Sequence, residues 1–79
     1  MNDEEIEKAV LFYIIFKNEL FDLSEKDFTN QCNKKIINAI NELKAKKEEI
    51  SMLTIQSKID SDSSKVLKYL SELGNYIYK

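Results

Sequence analysis

Proline is absent from this chain and glycine occurs once, at Gly74, so almost nothing in the sequence interrupts a helix. Proline ends helices by removing a backbone donor and colliding with the preceding turn, and glycine weakens them through its backbone entropy. A chain nearly free of both can be helical along most of its length. The expected class is therefore all-α, a small orthogonal bundle of about four to five helices. Seventy-nine residues leave room for one core, so residues 1–79 are read as a single domain. A core of this size buries only about 60% of the unfolded surface, which gives association with a neighbour unusual weight in its stability.

The apolar residues locate the helices. Asn2 or Asp3 can cap the first, with Glu4, Glu5 and Glu7 suited to the positive end of its dipole and Asn2-x-x-Glu5 spaced as a capping box. The apolar run at residues 9–16 covers nearly every direction around that helix. Such a helix is either central or has a second face for a partner. Ile6, Val10, Tyr13 and Ile14 form one stripe, with Leu11 and Ile15 on the far side. Residues 18–23 are expected to make a short helical turn, and Ser24 to open a polar break. Thr29 fits an N-cap for the clearest helix, running to about Lys46. There Cys32, Ile36, Ala39, Ile40 and Leu43 recur at threes and fours, with Lys34, Lys35, Asn38, Asn41 and Glu42 opposite. The charge run at 44–49 reads as the solvated end of that helix and a loop. Thr54 is placed as the cap of a short helix carrying Ile55 and Ile59. Residues 60–64 make a loop and a new helix start, after which Val66, Leu67, Leu70 and Leu73 face the core until Gly74 ends the helix. The tail, Tyr76-Ile77-Tyr78, is apolar and suited to docking.

Several chemistries are excluded by what is missing. A phosphate-cradling loop needs glycines at several places, so no nucleotide motor lies within these residues. Cys32 is the single cysteine and no histidine is present to activate it, so it reads as a small buried hydrophobe. A lone cysteine also rules out an internal disulfide and fits a reducing compartment, the cytoplasm. Asp60-x-Asp62-x-Ser64 imitates the start of a calcium loop, but Lys65 stands where glycine is required and Ser71 where the bidentate glutamate belongs. Neither a catalytic residue nor a cofactor nor a metal is expected. The apolar run of eight residues at 9–16 falls far short of the roughly 20 needed to cross a bilayer.

Twelve lysines against fourteen acidic residues give a net charge of −2 with interspersed signs, and there is no arginine for bidentate phosphate or base contacts. Direct nucleic-acid binding is not expected from such a surface. The nearest contrary sign is in the C-terminal half, where Ile55, Ile59, Val66, Leu70 and Leu73 match the apolar spacing of a winged helix-turn-helix. Its presumed recognition helix offers only Lys65 and Lys68 as cations, and Gln56 and Ser61 break the pattern. A small winged-helix-like DNA-binding regulator is thus the rival reading.

Three segments together resemble the N-terminal domain of DnaB-type replicative DNA helicases. Glu5-Ile-Glu-Lys-Ala-Val-Leu11 is similar to that family's opening helix, and Tyr69-Leu-Ser-Glu-Leu73 to its closing one. Between them, Asp27-Phe28, Lys35-Ile36, Ala39-Ile40, Glu42-Leu43 and Leu53-Thr54-Ile55 follow the family's pattern without a gap. Lys65-Val66 stands where the family usually has Gly-Gly, and Gln31 where it has proline. The resemblance implies a protein-interaction and oligomerisation domain that forms the collar of a hexameric ring and docks primase or a helicase loader. It also leaves room for a stand-alone helicase or primase adaptor from a phage or plasmid. With the excess of apolar residues on the first helix, it makes Leu11, Phe12, Ile15, Phe16, Tyr76 and Tyr78 the candidate partner surface.

Overall fold

The computed structural model describes residues 4–18, 21–59 and 64–73. These residues form four α-helices and no strand: α1 (Glu4–Lys17), α2 (Gln31–Ala45), α3 (Met52–Lys58) and α4 (Ser64–Leu73), with a 3-10 turn at Glu25–Asp27. The expected all-α class is the observed one. The proposed caps at Asn2 and Asp3, the stop at Gly74 and the tail tyrosines lie outside the described residues.

Helix α2 is the axis of the molecule, packed against α1, α3, α4 and the 3-10 turn. Its apolar spacing explains this role. Cys32, Ile36, Ile37, Ala39, Ile40 and Leu43 are all buried, and Leu11, Ile55 and Leu70 from the other three helices are wholly sealed in the same cluster. Each such aliphatic side chain contributes roughly 1.5–3 kcal/mol by leaving water. Phe28, at the end of the connector from α1, is 2% exposed and seats the Asp27-Phe28 segment in this core.

The polar face of α2 holds the connector in place. Asn41 Nδ2 donates to the Leu23 carbonyl at 2.8 Å, Asn38 Nδ2 to Glu25 at 2.9 Å, and Lys44 Nζ to the Phe21 carbonyl at 3.2 Å. The Asn41 and Lys44 side chains satisfy carbonyls that an irregular segment leaves without partners. The connector itself departs from the expected pattern. Asn18 takes a left-handed φ of 56°, residues 21–24 are non-helical, and the helical turn comes later, at Glu25–Asp27. Asparagine tolerates the left-handed region better than most residues, which suits it to stopping α1 where no glycine is available.

Two caps are shifted from their expected positions. Asn30, not Thr29, caps α2, its side chain accepting from the backbone N–H of Cys32 at 2.7 Å and of Asn33 at 3.3 Å. Ser51, not Thr54, caps α3. The Ser51 hydroxyl accepts from Thr54 N–H at 3.2 Å, and Thr54 Oγ1 accepts from Ser51 N–H at 2.8 Å, so Thr54 completes a reciprocal box. The far end of α2 closes as a Schellman motif: Glu48 N–H donates to the Leu43 carbonyl and Lys47 N–H to that of Lys44. The residue in the left-handed position is Lys47, with φ 58°.

Candidate protein-interaction surface

Which face of α1 turns inward is decided by Glu7. The side chain is fully buried, and its carboxylate sits against the start of α2. It accepts from Thr29 N–H at 3.1 and 3.2 Å, from Thr29 Oγ1 at 2.7 Å, from Asn30 N–H at 3.4 Å and from Asn33 Nδ2 at 2.9 Å. Thr29 is therefore engaged by Glu7 and unavailable as the cap. A carboxylate at a helix N-terminus is further favoured by the helix dipole. Burial pushes the Glu7 pKa up, but the donors of Asn33 and Thr29 and the backbone N–H groups of Thr29 and Asn30 outweigh it and hold the group below its ordinary value.

With Glu7 inward, Leu11, Ile14 and Ile15 follow at spacings of four, seven and eight and enter the core. The stripe expected from hydrophobicity is thereby rotated. Ile6 is 51% exposed, Val10 and Tyr13 are half-buried, and only Ile14 of the four is buried. Leu11 (0%) and Ile15 (6%), expected on a partner surface, are core residues of the chain itself. A polar residue at the centre of the buried stripe defeats a search for apolar periodicity.

The outer side of α1 carries Ile6, Ala9, Phe12, Tyr13 and Phe16 at spacings of three and four. Phe16 is 40% exposed, and the half-buried Phe12 ring lies 5.0 Å from it, tilted by 37°. Tyr13 meets Phe12 edge-on at 6.1 Å. Of the six candidate residues, the structure thus brings Phe12 and Phe16 together and separates them from Leu11 and Ile15. Tyr76 and Tyr78 lie outside the described residues. Phe21, 37% exposed, and Leu53, 78% exposed on the first turn of α3, are further apolar surface that the sequence had not singled out. Leu53 lies within the Leu53-Thr54-Ile55 segment, where the turn of the helix by about 200° over two residues sends Ile55 into the core and Leu53 outward.

Cys32 is buried with its thiol free. Among the described residues no cluster of histidine, cysteine or carboxylates could hold a metal, and no helix is long and apolar enough to cross a membrane.

No curated protein and no solved structure gives a significant match to this chain. A family model described as the DnaB-like helicase N terminal domain matches residues 1–78. An opening helix anchored through Glu7, the seated Phe28 and the α2 core are how this sequence builds that domain, and the chain belongs to the DnaB-like helicase N-terminal domain family.

Proposed function

We propose that this chain is the protein-interaction and oligomerisation domain of a DnaB-type replicative helicase, contributing to its collar and docking primase or a helicase loader in DNA replication. The observation that carries this reading is that α1 has two apolar faces and the core uses one. Ile6 and Phe16 stay exposed on the other, where the Phe12 ring lies 5.0 Å from that of Phe16. Contiguous exposed aromatic and aliphatic surface is favoured at protein interfaces because its removal from water stabilises the complex. Phe12 and Phe16 are the contact residues among those described, with Tyr76 and Tyr78 as candidates beyond them. Leu11 and Ile15 act only by holding α1 in register.

The module self-associates, as a dimer or within the hexamer of a full-length parent, and has no direct role in nucleic-acid binding or in a membrane. The ATP-driven motor of such a parent is assigned to residues outside these, and the compartment to the cytoplasm. Light scattering and pull-down with a primase and a helicase loader test the assignment. Self-association or capture that is lost in Phe16→Glu is expected. A strict monomer that binds neither partner refutes it.

A further inference from the structure

A second surface feature lies away from the outer face of α1. The start of α2 and the outer side of α4 enclose a cleft of about 330 Å³, lined by Asn30, Cys32, Lys65, Lys68, Tyr69 and Glu72. We propose that this cleft is a docking site for an acidic segment of a partner polypeptide, with an aspartate or glutamate side chain seated between Lys65 and Lys68.

The volume is at the lower end of ligand-sized clefts, enough for a side chain or two. Lys65 and Lys68 are both exposed, and neither takes part in an ion pair among the described residues. Glu72 follows Lys68 at i+4, yet the two do not pair. Lysine N-terminal to glutamate is the weaker order for such a pair, because it opposes the helix dipole. Among the described residues the lining therefore holds two ammonium groups outside any ion pair and one carboxylate, a charge of +1 on a chain whose net charge is −2. One carboxylate complements that balance, whereas a row of phosphates meets Glu72 and finds only two cations and no arginine. The α2 N-terminus is already served by Glu7, so the lysines and not the helix end supply the attraction.

A short oligo-glutamate peptide is titrated against the intact chain at low ionic strength, with an oligo-glutamine peptide of equal length as control. Binding is followed by amide chemical shifts. The expected result is saturable binding of the glutamate peptide only, and weakening by added salt. The variant Lys65→Glu/Lys68→Glu should lose about ten-fold or more in affinity while melting like the parent. Lys26→Glu on the 3-10 turn and Phe16→Glu on α1 should leave the affinity unchanged, which separates this site from the surface proposed above. No saturable binding, or equal loss in Lys26→Glu, overturns the proposal. So does preferential binding of a short DNA duplex that is lost in the double lysine variant, which would make the cleft a nucleic-acid contact.

Discussion

Replacing Glu7 by glutamine, and separately by alanine, probes the contact that orients α1. In the folded chain the carboxylate accepts from two backbone N–H groups, one hydroxyl and one amide, and has no access to water. Hydrogen bonds to a charged acceptor contribute about 1.5–3 kcal/mol each in favourable cases, and a buried donor left alone costs about 1–3 kcal/mol. The alanine variant strands the Thr29 and Asn30 N–H groups and the Asn33 amide and opens a cavity, so a loss of about 4 kcal/mol or more is expected. That approaches the entire stability of a domain this size, about 4–12 kcal/mol. Glutamine keeps the shape and one acceptor oxygen but turns an NH₂ toward N–H donors and removes the charge from the helix end. Its expected cost is about 2 kcal/mol, or a fall in Tm of roughly 8–16 °C. Because the folded-state pKa lies below the unfolded one, the charged form contributes stability that is fully present above the unfolded pKa. That contribution disappears as the pH falls through the folded value. Urea unfolding followed by far-UV circular dichroism, repeated from neutral pH down into the carboxylate range, reads both effects. The gap between wild type and Glu7→Gln should narrow on acidification. A gap under about 0.5 kcal/mol at neutral pH, or one that does not change with pH, would show that Glu7 is not the clamp described.

Other substitutions follow from the caps and the two faces of α1. Asn30→Ala removes the α2 cap and should cost about 1 kcal/mol, whereas Thr29→Ala should cost more than a surface change because it strips a 2.7 Å bond from Glu7; paired denaturation curves compare them. Lys47→Gly relieves a side chain held at φ 58° and should raise stability by roughly 0.5–1 kcal/mol, a gain that a lower midpoint would contradict. Leu11→Ala should lose about 3 kcal/mol from a sealed position, while Phe16→Ala should move the midpoint far less. Equal losses would mean that both faces of α1 are core.

The chain's local chemistry determined a good deal. Without proline and with one glycine it had almost nothing to interrupt a helix, and the threes and fours from Cys32 to Leu43 specified the buried face of α2 before any partner was known. Short-range signals of this kind reside within a single helix and survive being read alone. The start of α3 was off by three residues for a local reason, the Ser51–Thr54 box, and that of α2 by one for a distant cause. Thr29 looks like a cap until Glu7, twenty-two residues earlier, claims its hydroxyl and N–H.

The orientation of α1 was a tertiary decision. Its run of apolar residues is compatible with several buried faces, and hydrophobicity alone chose the stripe through Ile6 and Tyr13. The structure chose Glu7, Leu11, Ile14 and Ile15, because a carboxylate facing the donors of Thr29, Asn30 and Asn33 satisfies both sides of a buried polar contact. That pairing exists only when α1 and the start of α2 meet. The same meeting turned Phe12 and Phe16 outward and drew Leu11 and Ile15 in, so the composition of α1 told that a surplus of apolar surface existed, and only the packed helices decided where it lies.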